Sequence, residues 1–293
     1  MNKQKIKRLL LFSFQMFLVV IASVLLAILL RVFLFASFKI PSVSMFPAID
    51  AGDYILVNKL IPGPRIYKNF DFLKGSKVET RRFKGIRAVR RNDVLVFNFP
   101  HMRGWNKIEM NPGVSYVKRC VALPGDTFYI ENAIYKVKNI PDSLGSLSNQ
   151  RQLSLKKESE LLPEIYNSFP HDPVYYKWNI KNFGPLYIPR AGDVLAIDSV
   201  NYRLYKKPIE YETGKELQVV DNRVYLDDKL IDTYLFKLNY YFMSGDLVRD
   251  SKDSRYWGLL PEDHIIGKAW LIWKSEDPVT GKFRWKRFFK KIK

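Results

Sequence analysis

The chain has 293 residues and a formal net charge of +19, with 48 lysines and arginines against 29 aspartates and glutamates. Its 15% aromatic content and its scattered glycine and proline exclude a disordered polypeptide, and its length suffices for one large or two ordinary domains. The single cysteine, Cys120, excludes an intramolecular disulfide. Because there is no CxxC motif or His/Cys cluster, the sequence predicts no metal site and no cofactor.

The N-terminal segment is strongly apolar from Leu9 to Leu30, where Gln15 is the one strongly polar side chain. As a helix this run would rise about 33 Å, enough to cross a hydrocarbon core of about 30 Å. It is too long for a cleaved signal peptide, and no small-x-small site follows it. Because basic residues precede it, we predict a cytoplasmic tail at 1–8, a transmembrane signal anchor at 9–31 and an external remainder.

Beyond the anchor, short apolar and β-branched runs opened by turn residues predict β-strands. These runs are Gly52–Ile61, Asn92–Pro100, Val114–Leu123 (closed by PGD), Phe128–Val137 (with an Asn-Ala turn at 132–133), Ala191–Asp198, Asn222–Asp232 (a hairpin around Asp227-Asp228), Tyr240–Asp246 and His264–Trp273. Such spacing with few helical periods predicts a mainly β, antiparallel outer domain of barrel or sandwich type.

A polar stretch interrupts this pattern at 138–185, with one possible helix near Gln152–Leu162. We predict that it is an inserted cap or subdomain. The outer domain then comprises 32–137 and 186–275, and a basic C-terminal tail covers 276–293.

The positive charge is concentrated in the sequences RRFKGIRAVRR (Arg81–Arg91) and GKFRWKRFFKKIK (Gly281–Lys293). Basic residues interleaved with aromatic ones can bind nucleic acid, lie on anionic lipid headgroups, or form a plain solvated surface. A chain anchored outside the cytoplasmic membrane meets lipid constantly. We therefore expect the lipid bilayer as a partner and no nucleic acid.

Two serines in IPSVSMFPAI (Ile40–Ile49) stand just beyond the predicted anchor. A nucleophilic serine needs a base, usually a histidine oriented by a carboxylate. None of the three histidines stands in such a signature (His101, His171 and His264). The remaining base is a lysine, whose pKa must be lowered by burial before its amine can accept a proton.

Strand alternation in SYVKRCVALPGD places Lys118 on one face between Tyr116 and Cys120, an apolar neighbourhood that disfavours its charge. The pattern alone favours a lysine that snorkels from a strand edge. Likewise, the serines at 42 and 44 could be ordinary turn hydroxyls.

Three motifs occur in order behind the anchor, namely PSVSMFP (Pro41–Pro47), YVKRCVALPGD (Tyr116–Asp126) and SGDLVRDSKDSRYWGLLPEDHIIGKA (Ser244–Ala269). Together they resemble the bacterial type I signal peptidases, membrane-bound Ser/Lys serine proteases that remove signal peptides from exported preproteins. The resemblance covers about 38–61, 91–130 and 240–270, and it does not cover 138–239.

The resemblance implies that Ser44 is the nucleophile and Lys118 the general base. It implies an oxyanion hole made of the Ser44 backbone N–H and the Ser42 hydroxyl. Ser251 would hydrogen-bond the Lys118 amine and orient it.

The same resemblance implies two ion pairs that brace the site, Asp253 with Arg255 and Arg119 with Asp246. It also implies that an extended substrate lies beside strands and inserts small side chains into two shallow apolar pockets. By analogy these pockets would be lined by Phe38, Ile40, Tyr116 and Val117.

Several positions depart from the family pattern. Val43 replaces glycine between the two serines, so the turn must take a conformation that a β-branched residue tolerates. Asn92 also stands in place of glycine. Leu247-Val248 replace Asn-Arg, and Arg249 replaces aspartate.

The sequence therefore predicts a single-pass bacterial inner-membrane endopeptidase with its catalytic domain on the outer, periplasmic side. An inactive membrane-tethered homologue that acts as a scaffold stays open as an alternative, as does a peptidase dedicated to one exported substrate. Self-cleaving repressors share a Ser-Lys site on a similar fold, but the anchor argues against them.

Overall fold

In the computed structural model, described residues are 3–68, 78–102 and 104–293, so the first two residues of the predicted tail lie outside them. The chain begins with a long helix, α1 (Lys3–Leu29), which continues into a π-helical turn, Leu30–Leu34. Within the described ranges this is the one helix long and apolar enough to cross a membrane, and none of Leu10–Leu34 is buried. An apolar helix without a protein partner fits a membrane anchor.

The rest of the described chain is mainly β, as predicted. The strands are β1 (Phe35–Lys39), β2 (Asp53–Asn58), β3 (Arg65–Tyr67), β4 (Thr80–Arg82), β5 (Val94–Phe99), β6 (Asn111–Ala122), β7 (Thr127–Glu131), β8 (Ile134–Val137), β9 (Phe183–Tyr187), β10 (Val194–Ala196), β11 (Leu217–Val220), β12 (Arg223–Leu226), β13 (Lys229–Ile231), β14 (Thr233–Leu235), β15 (Tyr240–Ser244), β16 (Leu260–Pro261), β17 (Ile265–Ser275) and β18 (Lys290–Lys291). Every predicted strand run coincides with at least one of them.

All pairings within the sheets are antiparallel. An eight-stranded sheet has the order β1-β2-β17-β5-β6-β15-β16, with β18 also paired to β17. The smaller sheets are β8-β7-β9, β11-β12-β13, β10-β14 and β3-β4. The predicted turns are confirmed, because Asn132, Ala133 and Asp227 all have positive φ in tight hairpins.

The helical prediction near Gln152–Leu162 is wrong in its position. The shorter helices are α2 (Leu147–Ser154), α3 (Pro163–Tyr166), α4 (Tyr202–Thr213) and α5 (Ser254–Trp257). α2 buries Gln150 and Leu153, whereas Leu155 is 85% exposed, so no apolar face remains to hold the helix together beyond residue 154.

The predicted insertion 138–185 shares its core with its surroundings. Its residues Leu144, Phe169 and Ile180 pack into the same hydrophobic cluster as Phe128 and Phe236. The segment 138–185 is therefore distinguished by its sequence, but it has no separate hydrophobic core.

Candidate active site

The turn that carries the two serines leaves the edge strand β1 and returns to β2. Met45 and Ile49 are buried in the core below it, while Ser44 is half-buried at the surface. The Phe46 N–H donates to the Val43 carbonyl at 2.8 Å. Val43 does not have a positive φ, so its backbone conformation is one that a β-branched residue tolerates. The turn therefore accepts valine in place of glycine, as the sequence analysis required.

Lys118 lies on β6 and points at this turn. Its Nζ is 2.7 Å from Ser44 Oγ, and the residue is 5% exposed. The Tyr116 ring lies beside it, with the amine 5.5 Å from the ring centroid. The pKa of Lys118 is lowered to about 8, chiefly by burial; the Asp253 charge opposes this shift and the Arg255 charge adds to it. A substantial fraction of the amine is therefore neutral near physiological pH.

The expected hydrogen bond between Ser251 and Lys118 is not formed. Ser251 Oγ is buried and has no hydrogen-bond partner within the part of the chain that the structure describes. The hydroxyl instead packs against Gly245. A Cβ added to Gly245 would lie 2.1 Å from Ser251 Oγ and 2.6 Å from the Ser44 carbonyl oxygen, so no larger residue fits there. Gly245 is thus the residue that lets the two loops approach each other.

Both expected ion pairs are present. Arg255 Nε donates to Asp253 at 2.8 Å, and both side chains are fully buried. Arg119 makes two hydrogen bonds of 2.6 Å to the Asp246 carboxylate. Burial alone would raise the pKa of Asp253, but the neighbouring Arg255 guanidinium outweighs it and keeps the pKa below its usual value.

Three further residues complete this arrangement, and the sequence interpretation had assigned no role to them. The Tyr135 hydroxyl is 2.9 Å from Ser244 Oγ, which in turn donates to Asp253 at 3.4 Å. The Leu247 N–H donates to the Ser44 carbonyl at 3.0 Å. Ser244 and Leu247 stood inside a recognised motif, whereas nothing in the sequence around Tyr135 pointed to this contact.

A cavity of about 280 Å³ opens beside the Ser44–Lys118 contact. All four residues predicted to line substrate pockets border it, together with Ser42, whose side chain is exposed. The full lining is Phe38, Lys39, Ile40, Pro41, Ser42, Ser44, Met45, Val96, Ser115, Tyr116, Val117 and Lys118. An apolar cavity of this size accommodates small side chains.

Asn92, the second departure from glycine, has φ of +68°, in the left-handed region that asparagine tolerates better than most residues. Its side chain accepts from the Gly145 N–H at 2.8 Å and donates to the Ser143 carbonyl at 2.8 Å. Asn92 therefore keeps the backbone conformation of glycine and adds a link to the 138–185 segment.

The three histidines make other contacts. A ring nitrogen of His101 contacts the Lys107 carbonyl, and one of His171 contacts the Tyr256 carbonyl. The His264 ring contacts the Asp263 carboxylate. Within the described residues, none of them hydrogen-bonds Ser44.

A mainly β domain that sets a serine hydroxyl against a buried lysine is the arrangement of a hydrolytic enzyme with a serine nucleophile. Residues 13–274 match the family model described as signal peptidase, peptidase S26. The chain belongs to this family and is a serine endopeptidase.

Among similar proteins is signal peptidase I of Buchnera aphidicola subsp. Schizaphis graminum, 28% identical over 84% of this chain and 70% of that protein. Signal peptidase I of Pseudomonas fluorescens is 28% identical over 84% of this chain and 67% of its own. Signal peptidase I of Aquifex aeolicus is 26% identical over 89% of this chain and 82% of its own. A crystal structure of a signal peptidase I from Enterococcus faecalis, 16% identical, covers 63% of this chain and 98% of its own with a TM-score of 0.30.

Proposed function

We propose that this chain cleaves signal peptides from exported preproteins, with Ser44 as the nucleophile and Lys118 as the general base. The observation that carries the proposal is the 2.7 Å contact between Ser44 Oγ and the buried Lys118 Nζ. A neutral amine at this distance can take the hydroxyl proton while the oxygen attacks.

The reaction would run in two halves. Lys118 accepts the Ser44 proton as Oγ bonds to the scissile carbonyl carbon, and the Ser42 hydroxyl and Ser44 N–H stabilise the resulting oxyanion. The C–N bond then breaks, the Lys118 ammonium returns the proton to the departing amine, and an ester to Ser44 remains. Water then attacks the ester while Lys118 takes its proton; the bond between the acyl carbon and Ser44 Oγ breaks, the Lys118 ammonium returns the proton to Oγ, and the carboxylic acid product leaves and ionises in solvent.

The substrate would bind as an added strand. β1 pairs only with β2, and β6 upstream of Arg119 pairs only with β5, so each has an unpaired edge within the described residues. Main-chain hydrogen bonds to these edges would provide affinity, while the 280 Å³ cavity would select small side chains by shape.

A cleavage assay tests this proposal. Full-length enzyme in detergent is incubated with a preprotein that has a small-x-small boundary, and the new N-terminus is mapped by mass spectrometry. We expect one cut after the second small residue, and we expect that replacing this residue with tryptophan prevents it. Failure to cut, or equal cutting of both substrates, would contradict the proposed function or its substrate class.

The anchor helix would hold this site at the membrane surface. Ser44 follows the π-helical turn that ends at Leu34 by ten residues, so only a short stretch of chain separates the site from the helix. With the N-terminal basic residues in the cytoplasm, the catalytic domain would lie on the outer side of a bacterial inner membrane. Proximity to a membrane-inserted signal peptide would then follow from the anchor itself.

We further propose that one patch beside the anchor contacts lipid headgroups. In the basic run at 81–91, three arginines face inward onto the protein, with Asp93, Asp126 and backbone carbonyls as partners (Arg82, Arg87 and Arg91). The side chains of three others are exposed and make no ion pair within the part of the chain that the structure describes (Arg81, Lys84 and Arg90). Phe83 and Ile86, 42% and 70% exposed, lie between them. The Phe83 ring packs edge-on against Phe33, in the π-helical turn that follows α1, with ring centroids 6.0 Å apart.

The headgroup contact predicts anionic-lipid-dependent burial of position 86. A fluorophore on Ile86→Cys in reconstituted enzyme should be quenched by brominated lipid more strongly with phosphatidylglycerol than with phosphatidylcholine alone. Arg81→Gln/Lys84→Gln should reduce this difference, whereas Arg223→Gln/Lys229→Gln, which removes equal charge on another sheet, should not. The native Cys120 is buried and does not compete for label. Equal quenching in both lipids would show that the contact does not depend on headgroup charge, and no quenching in either would show that the patch is merely solvated; each outcome would contradict the proposal.

A further inference from the structure

One side chain from the 138–185 segment reaches the candidate nucleophile's turn. Asn149, on α2, uses both hydrogens of its amide group. It donates to the Phe46 carbonyl at 3.1 Å and to the Asp246 carbonyl at 2.7 Å. These two carbonyls belong to loops that are about 200 residues apart in the chain.

The two loops are the ones that build the site. The first carries Ser44, and the second contains Asp246, the ion-pair partner of Arg119. They are already joined once, by the 3.0 Å hydrogen bond from the Leu247 N–H to the Ser44 carbonyl. Asn149 adds a second connection, two residues further along the nucleophile's turn.

The helix that presents Asn149 is itself held firmly. The neighbouring Gln150 is fully buried and accepts from the Tyr135 N–H at 3.0 Å while it donates to the Leu144 carbonyl at 2.5 Å. Leu153 packs in the same core one turn later. The position of Asn149 is therefore determined by the large core that the 138–185 segment shares with the rest of the domain, and not by the loops that it contacts.

We infer that Asn149 is a positioning residue for catalysis, through which the 138–185 segment holds the Ser44 turn against the 244–251 loop. Two carbonyl acceptors require two donors, and a neutral amide supplies them from one atom. An aspartate has the same shape, but its carboxylate oxygens can only accept, so it could not hydrogen-bond the two carbonyl oxygens. This inference rests on the proposed function, because positioning has meaning only if Ser44 reacts.

The test compares kcat, KM and thermal stability in the full-length enzyme. We expect Asn149→Ala and Asn149→Asp to lower kcat on the order of 10- to 100-fold, the loss that a displacement of about 1 Å at a reacting group produces. KM should change little, and the midpoint of the pH–rate profile should stay near the wild-type value, because the burial of Lys118 is unchanged. A residue with only a structural role would not give this separation.

Two control variants distinguish positioning from simple loss of stability. Gln152→Ala changes an exposed side chain on the same helix and should leave kcat unchanged. Val224→Ala removes buried methyl groups elsewhere in the same core and should lower Tm while kcat is retained below the transition.

The outcomes separate the two proposals. If wild-type enzyme cleaves the preprotein and the Asn149 variants match its kcat, the positioning role is wrong although the proposed function stands. If kcat falls only in proportion to the loss of folded protein, as in Val224→Ala, Asn149 contributes stability alone. If wild-type enzyme does not cleave, the proposed function itself fails.

Discussion

Lys118→Met is expected to abolish preprotein cleavage, with a fall in kcat/KM on the order of 10⁴-fold or more. Methionine retains most of the length of the side chain but cannot accept the proton of the Ser44 hydroxyl, whose oxygen lies 2.7 Å from Nζ in the wild type. Ser44→Ala should give a loss of the same size, and the double variant should lose no more than either single variant, because the two groups act as one unit. The measurement is initial rate of product formation at matched enzyme concentration in detergent.

A control lysine must show that the effect is specific to position 118. Lys207 is a second lysine whose pKa burial lowers to about 8, but its Nζ contacts the Trp257 carbonyl at 3.4 Å and not a serine. Lys207→Met should therefore cleave at a rate close to that of the wild type. Cleavage retained by Lys118→Met, or lost equally in Lys207→Met, would refute the assignment of the base.

The pH–rate profile of the wild type provides an independent check. Because the reactive form is the neutral amine, kcat/KM should rise with pH and level off above the lowered pKa of about 8. At pH 7 roughly a tenth of the amines would then be neutral, against about one in 3,000 for an unperturbed lysine. A rise centred near 10.5 would mean that the amine is solvated.

The same burial makes Lys118→Met at least as stable as the wild type at pH 6. A lysine pKa of about 8 in the folded state and 10.5 when unfolded means that the unfolded chain binds more protons between these values, so wild-type stability rises with pH across that window. Below it, the buried ammonium costs up to about 3 kcal/mol, which methionine avoids. The inactive variant therefore serves as a folded control.

The sequence was informative where a residue's role is encoded locally. Alternation around Lys118 predicted a partly apolar environment, and the residue is 5% exposed with its amine beside the Tyr116 ring. The turn at Asn132-Ala133 and the strand run ending in PGD were likewise visible as local patterns. Such features depend on neighbours within a few residues, which the sequence displays directly.

Contacts between loops that are far apart in the chain could not be predicted from the sequence. Ser251 lies in a specific motif, yet whether its hydroxyl meets the Lys118 amine depends on how closely two loops pack, and here it lies against Gly245 with no partner in the described residues. Asn149 lies in a polar stretch without a recognisable pattern, and only the folded chain brings it to Phe46 and Asp246. Residue type alone does not determine such tertiary distances.

The helix α4 shows a different limit. Leu204, Tyr205 and Ile209 lie at helical spacing and are buried, but Pro208 stands among them and argues against a helix. Tertiary packing overrides that local preference, since the apolar face of α4 belongs to the large core cluster and its end is capped by Gly214 in the left-handed conformation.

Arg255→Met is expected to give the largest loss of stability of any single substitution at this site. It would leave the Asp253 carboxylate fully buried without its ion-pair partner, a situation that costs about 3 to 5 kcal/mol. For a domain of this size we expect Tm to fall by roughly 10 °C. Cleavage should also fall, because Asp253 accepts from the Gly245 N–H at 2.9 Å and so helps to hold the loop that packs against Ser44.

The pH dependence gives this prediction its sign. In the wild type, burial raises the pKa of the Asp253 carboxyl, but the Arg255 guanidinium keeps that pKa below its usual value. The ion pair therefore adds stability at neutral pH, and this stability is lost as the pH falls through the lowered pKa. Without Arg255, burial dominates and the carboxyl becomes easier to protonate. The Tm difference between variant and wild type should therefore shrink on acidification from pH 7 towards pH 4.

The matched control is an exposed ion pair. Lys156 contacts Glu160 at 3.0 Å with both side chains about half exposed, and Lys156→Met removes the same charge without burying its partner. This variant should unfold at the wild-type temperature at every pH tested. If Arg255→Met behaved as Lys156→Met does, the Asp253–Arg255 pair would contribute nothing to holding the loops, and the bracing of Ser44 would have to come from Arg119, Leu247 and Asn149.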